Sequence, residues 1–177
     1  LPQTRLLVDS AKSIISRNDS PDIDFEQSLN PYRGCEHGCV YCYARPTHAY
    51  LGLSPGLDFE TQIFHKPDAP HLLRTALGHP DYVCSTIALG TATNAYQPVE
   101  RQQALTRAVL EVMLETGHPV SVVTKSSLAV RDIDLWSELA RRNLAHVGIS
   151  LTTLEGPLAR QLEPRASAPR ARLDAMQ

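Results

Sequence analysis

Asn30-Pro-Tyr-Arg-Gly-Cys35-Glu-His-Gly-Cys39-Val-Tyr-Cys42-Tyr43-Ala-Arg-Pro46 carries three of the chain's four cysteines. Three thiolates at CxxxCxxC spacing suit a soft metal centre better than a disulfide framework. Three is also one short of a closed site. Fully ligated iron–sulfur clusters use four cysteines, so a 4Fe–4S cluster on Cys35, Cys39 and Cys42 keeps one iron free for a substrate or cofactor. The competing assignment is structural zinc, which takes four ligands, often as two CxxC pairs. Cys84 lies far from the motif, beside the apolar run Thr86-Ile-Ala-Leu89, where a buried thiol is ordinary. His37 could supply a fourth ligand, but it reads as a solvated loop residue between Glu36 and Gly38. The cluster is therefore the preferred assignment.

The bulk numbers bound the rest. At 177 residues, with 42% hydrophobic and 20% charged residues, the chain is one globular domain by length and composition. No apolar run approaches the ~20 residues of a membrane span. The start, Leu1-Pro-Gln-Thr-Arg-Leu-Leu-Val, lacks the basic, apolar and small-residue regions of a signal peptide. Clustered thiols without an even framework point to a reducing cytoplasm. A net charge of −2 gives no support for non-specific nucleic-acid binding, although a local basic cleft stays open.

Residues 1–28 read as a polar N-terminal extension with a short helix near 10–16. The stretch 25–31 is a first strand leading into the cysteine loop, 47–53 a short helix, 59–64 an extra alternating strand and 70–77 a helix. A buried strand at 86–89 precedes the turn Gly90-Thr-Ala-Thr-Asn94. One amphipathic helix spans 99–116, burying Leu105, Val109, Val112 and Met113. The β-branched run 120–124 is a strand. Asp132 caps a helix burying Leu135, Trp136 and Leu139, and 146–151 is a further strand. From Pro164 onward the chain reads as loop, then as a helix just beginning at the end. Strand–helix alternation of this kind means parallel βαβ units, in an open sheet or a barrel. Ligands then sit outside the carboxyl ends of the strands, at the cysteine loop, 90–94 and 124–126.

The cysteine string, with aromatic Tyr41 before its last cysteine, resembles the radical SAM superfamily. The flanks and the continuation His48-Ala-Tyr-Leu-Gly-Leu-Ser-Pro-Gly-Leu-Asp58-Phe-Glu60 resemble the branch related to spore photoproduct lyase and DNA repair photolyase-like proteins. The resemblance implies an α/β fold, the partial (β/α)6 radical SAM barrel, of which this chain supplies about the first four β/α units. Residues 29–177 would be the N-terminal part of that core, in a longer enzyme. The implied cofactors are a 4Fe–4S cluster on Cys35, Cys39 and Cys42 and S-adenosylmethionine on its open iron. Reductive cleavage would give a 5′-deoxyadenosyl radical that abstracts hydrogen from the substrate. A one-electron reductant such as flavodoxin or ferredoxin would be the partner. Damaged DNA is the substrate by analogy, while RNA, a peptide or a metabolite fit equally. A non-catalytic zinc- or cluster-binding module is the reading from another class.

The cofactor also needs partners from the protein. Lys125 and Thr93 are expected at its carboxylate, with the turn 90–94 near its amine. Tyr41 is expected against the adenine or in the core behind the cluster. Ser150 is expected near the ribose or sulfonium, and Glu163 at the ribose or as a loop charge. Tyr43, Arg45 and Tyr96 would line the substrate side or, for the tyrosines, pack in the core. The related segment more often reads Gly-Thr-x-Thr-Asp-Pro-Tyr; here Asn94 and Ala95 replace the Asp-Pro pair, which puts full activity in question. No Ser/His/Asp arrangement, zinc-protease His pair or phosphate-binding glycine loop is present.

Overall fold

The computed structural model describes residues 3–177; Leu1 and Pro2, the first residues of the expected extension, lie outside it. In chain order the elements are β1 (Arg5–Val8), β2 (Ile15–Arg17), β3 (Gln27–Leu29), β4 (Tyr32–Arg33), α1 (Leu57–Thr61), β5 (Gln62–His65), α2 (Ala69–Leu77) and β6 (Ile87–Leu89). Then come α3 (Glu100–Gln103), α4 (Leu105–Thr116), β7 (Val120–Thr124), α5 (Ile133–Arg141), β8 (Ala145–Ile149), α6 (Gly156–Leu162) and α7 (Pro169–Asp174). Two 3-10 segments, Arg45–Leu51 and Ser127–Asp132, follow the cysteine loop and β7.

The larger sheet runs β2-β3-β6-β7-β8. β3, β6, β7 and β8 are mutually parallel, the four β/α units expected, and β2 joins them antiparallel at one edge. A small second sheet, β1-β5-β4, stands beside the cysteine loop. β3 and β6 are buried throughout, as inner parallel strands covered on both faces must be. Helices α4 and α5 supply the cover: Val109, Leu110 and Met113, with Trp136 and Leu139, pack with Ile87, Leu89, Val120 and Val122 in one core. Each fully buried side chain of this kind contributes about 1.5–3 kcal/mol. Among the described residues no helix is long and apolar enough to cross a membrane.

Several expectations are corrected. Residues 10–16 form no helix; the β-branched Ile15 starts β2, which pairs with β3. The stretch 59–64 is a helix end followed by β5, because α1 turns Phe59 into the core. The helix at 99–116 is broken at Ala104, which adopts a left-handed φ of 51° between α3 and α4. The apolar period continues across that break, so it left no sequence signal. Residues 156–162 form an unexpected helix, α6, and the last helix closes at Asp174.

Asp132 stands at the start of α5 but does not cap it. Its carboxylate instead accepts from Tyr96 Oη at 3.1 Å, Arg107 Nη1 at 3.0 Å and Arg131 Nε at 2.8 Å. Glu100, equally buried, accepts from Tyr32 Oη, from the Thr106 amide at 3.1 Å and from Arg131 Nη2 at 2.7 Å. This network fixes α3 to α5 under the sheet, and it takes Tyr96 away from any substrate.

A left-handed conformation costs a non-glycine residue about 1–2 kcal/mol. Ala104→Gly should therefore stabilise the fold by about 0.5–1 kcal/mol, after the greater unfolded-state freedom of glycine is subtracted. Calorimetry should show Tm rising by about 2 °C. A lower Tm would mean that the Ala104 methyl contributes packing that outweighs the strain.

Candidate functional site

A cavity of about 350 Å³ opens at the carboxyl ends of the parallel strands. Cys35, Cys39 and Cys42 face it from one side, and Leu89, Gly90, Thr93 and Asn94 after β6 from another. Val122 and Lys125, at the end of β7, close a third. All three regions expected to carry ligands thus meet at one place, because parallel strands share a carboxyl end.

The cysteine loop is gripped from outside. The Cys35 amide donates to Phe59 O at 2.9 Å, the Val40 amide to Leu162 O at 2.9 Å, and the Arg165 amide to His37 O at 3.1 Å. Arg45 donates twice to Cys39 O, at 3.0 and 2.9 Å. Arg165 donates through Nε to Glu36 O. Glu60 joins the two guanidiniums, 2.6 Å from each. This clamp leaves room only for glycine at 38: φ is +68°, and a Cβ would come within 2.7 Å of both Arg165 Nη2 and Glu60 Oε2. Arg45 therefore holds the loop and does not line a substrate face.

Cys35 and Cys39 are buried and Cys42 is partly exposed. Burial pushes the Cys35 thiol up to about 12, with Cys39 and Cys42 adding to the rise. Burial, then the Glu163 charge, pushes Cys39 up to about 11. Without a cation the two thiols are protonated at neutral pH, and a metal would displace those protons. Among the described residues no three His, Cys, Asp or Glu side chains converge on the position of a single ion. Three thiols on one side of a cavity that Lys125 also lines fit a multi-iron cluster, in which each cysteine would bind a different iron. They suit a single zinc ion less well.

Lys125 Nζ donates to Ser150 Oγ at 2.9 Å, lies 3.9 Å from Glu163 Oε1 and stands 5.8 Å from the centre of the Tyr41 ring. Tyr41, half exposed, donates through its hydroxyl to Glu163, as Thr152 does at 2.6 Å. Glu163 is no loop charge. It is buried and paired with Arg172, itself 1% exposed, which also donates to Ser150 O at 2.9 Å and Ser167 O at 2.8 Å. Burial raises the Glu163 pKa, but hydrogen bonds from Thr152, Tyr41 and Arg172 outweigh it and hold the carboxyl below its usual range.

Thr93 is already committed: its hydroxyl donates to Gly34 O and accepts from Gln97 Nε2 at 3.0 Å. Asn94 Oδ1 accepts from Thr124 Oγ1 at 2.8 Å and from the Tyr96 amide at 3.0 Å, so an oxygen acceptor survives the departure from Asp. Tyr43 is largely exposed at the cavity mouth, and Tyr96 is fully buried behind it. Cys84 is exposed, because its loop lies outside the core, contrary to the buried thiol expected.

His37 is corrected too. It is 2% exposed and lines the cavity. Burial, then the nearby cations Arg172 and Lys125, push its pKa down, so the ring is neutral. Its burial depends on the strap at 162–167 packing over the loop, which no local pattern announces. The same holds for Glu60, Arg165 and Arg172. Glu163 and Arg45 stand out in sequence, but their partners do not.

The Radical SAM superfamily matches residues 29–177. An uncharacterised protein of Mycobacterium tuberculosis is 40% identical over 151 residues, 85% of this chain and 44% of that protein. One from Methanocaldococcus jannaschii is 28% identical over 148 residues, 84% of this chain and 52% of that protein. The chain thus spans about half the length of the curated relatives it matches. Among solved structures, a spore photoproduct lyase mutant superposes with a TM-score of 0.66 at 18% identity, covering 96% of this chain and 46% of that one. A second mutant of that enzyme, with bound AdoMet and dinucleoside spore photoproduct, gives 0.63 with the same identity and coverage.

Proposed function

The chain belongs to the radical SAM superfamily, and on that premise we propose that Cys35, Cys39 and Cys42 hold a 4Fe–4S cluster whose open iron binds S-adenosylmethionine. The observation that carries this reading is the shared cavity: three thiols and the Lys125 ammonium face one space at the carboxyl ends of β3, β6 and β7. When bound, the cluster supplies the electron that splits the sulfonium, leaving methionine and a 5′-deoxyadenosyl radical for hydrogen abstraction.

The chain's own residues prepare the site for that chemistry. Arg45 and Arg165 hold the loop carbonyls, and Glu60 joins their guanidiniums, so the thiols stay aimed inward. Lys125 gives the methionyl carboxylate a cation, and Glu163 with Ser150 keeps that cation in place. The apolar walls Ala88, Leu89 and Val122 keep water from the reacting end. Thr93 acts through the loop by holding Gly34 O. A one-electron donor of the flavodoxin or ferredoxin class completes the reading. The substrate class stays wide. The solved neighbour's dinucleoside lesion supports damaged DNA by analogy of fold, and a net charge of −2 favours no polyanion over a peptide or metabolite.

Calorimetry of anaerobically reconstituted protein tests the proposal. S-adenosylmethionine should bind one-to-one, and only to cluster-loaded protein. Lys125→Ala should weaken binding about ten- to a hundred-fold, the worth of one charge-assisted hydrogen bond, with iron unchanged. Equal affinity with and without cluster would contradict the proposal. Unchanged affinity in Lys125→Ala would leave Lys125 as a partner of Ser150 and Glu163 with no role at the cofactor.

A further inference from the structure

Gln97 is fully buried, and its side chain joins the cysteine loop to the turn after β6. Nε2 donates to Gly34 O at 3.3 Å and to Thr93 Oγ1 at 3.0 Å, and Oε1 accepts from the Glu36 amide at 2.9 Å. Gly34 and Glu36 flank Cys35 in the chain, so one side chain bonds the main chain on both sides of that thiol. The third bond reaches Thr93, which lines the cavity. The Gln97 main chain is used as well: its amide donates to Asn94 O at 3.2 Å and its carbonyl accepts from the Glu100 amide at 2.9 Å. Asn94 Oδ1 in turn accepts from Thr124 Oγ1 at 2.8 Å, one residue before Lys125. The three side-chain bonds select an amide, because one partner offers an N–H and two offer oxygen acceptors. Packing alone would be met by an apolar side chain, without the cost of burying an amide.

We infer that Gln97 is a positioning residue for the cofactors: it sets the Cys35 end of the loop against the turn Gly90–Asn94, and so fixes the span from the cluster to Lys125. The inference rests on the cluster reading above. S-adenosylmethionine held at both an iron and the Lys125 ammonium binds tightly when the two anchors already stand at the right separation, because no ordering of the site is then left to be done. Arg45 and Arg165 hold the loop through the Cys39 and Glu36 carbonyls. Gln97 ties its Cys35 end to the strand ends, and Thr93 shares that task by donating to the same Gly34 O.

The test is calorimetric titration of S-adenosylmethionine into the reconstituted chain, with iron content and Tm measured alongside. Gln97→Met keeps the length and bulk of the side chain and removes all three bonds. It should hold the wild-type amount of iron and bind S-adenosylmethionine about tenfold more weakly. Tyr82→Phe is the control for lost stability. It removes a hydroxyl bonded to Gln27 at 2.8 Å and His118 at 2.7 Å, all three residues outside the cavity lining. Its Tm should fall and its affinity should stay at the wild-type value. Thr93→Val should also weaken binding, and combined with Gln97→Met it should cost less than the two effects added, because both act through Gly34 O. Unchanged affinity in Gln97→Met, an equal loss in Tyr82→Phe, or full additivity in the double variant overturns the inference. Should Gln97→Met fail to hold iron, Gln97→Asn decides by the same measurement: its amide is one methylene too short to span the three partners, so weaker binding is expected and wild-type affinity overturns the inference. Wild type that forms no cluster, or whose cluster ignores S-adenosylmethionine, brings down the cluster reading itself. That is a separate result from wild type that binds and variants that bind equally well.

Discussion

Replacing Cys35, Cys39 and Cys42 together by alanine should take anaerobically reconstituted protein from about four irons per chain to almost none. Each thiolate binds a different iron, and no other thiol faces the cavity to replace one. Cys84 is exposed and outside the cavity, so Cys84→Ala should keep the full iron content and the visible absorbance. The fold should survive the triple change: Cys35 packs with Ala44 and Phe59, and the loop is held by main-chain bonds and the Arg45–Glu60–Arg165 clamp. Iron retained by the triple variant would contradict the assignment. So would native protein with one tight zinc per chain and no iron–sulfur absorbance.

The second large effect is expected on stability. Arg172→Ala removes the cation from a pair whose side chains are 2% and 0% exposed, and leaves Glu163 charged and buried. Breaking such a pair on one side costs about 3–5 kcal/mol. Urea unfolding should show that loss. Arg172→Met with Glu163→Leu should cost clearly less than the two single changes added, because no charge is then stranded. The site should respond as well. Freed of Arg172, Glu163 has Lys125 as its nearest cation, 3.9 Å away, and would draw it from the cavity. S-adenosylmethionine should then bind more weakly to whatever Arg172→Ala protein remains folded. A loss below about 1 kcal/mol would mean that Glu163 takes up a proton or reaches water.

These two effects also mark what the sequence reveals and what it hides. The cysteine run is local, so its spacing can be read without a fold. The four parallel strands are equally legible: Ile87–Leu89 and Val120–Thr124 are short apolar runs between helices, as inner strands must be. The small sheet is hidden because its pairing is distant and brief, with Arg5 opposite Gln62 and β4 only two residues long. α6 is hidden behind Gly156-Pro157, which reads as a turn but serves as its first residues. In the site, residue types were legible and partners were not. Lys125, Ser150, Tyr41 and Glu163 reach one neighbourhood, where the fold adds Arg172 and Thr152. Tyr96 and Arg45 are drawn elsewhere, by Asp132 and Glu60. A charged side chain takes its meaning from the counter-charge the fold brings to it, and Glu60 with Arg165 lie on segments far apart in the chain.

The most direct measurement is EPR of the reconstituted, dithionite-reduced chain, recorded before and after adding S-adenosylmethionine labelled in its amino and carboxylate groups. The account predicts the signal of a reduced 4Fe–4S cluster whose g-values shift on addition, with coupling to the labelled nitrogen and oxygen of the chelating methionyl end. A cluster signal that saturating S-adenosylmethionine leaves unchanged, with no coupling to either label, would contradict it.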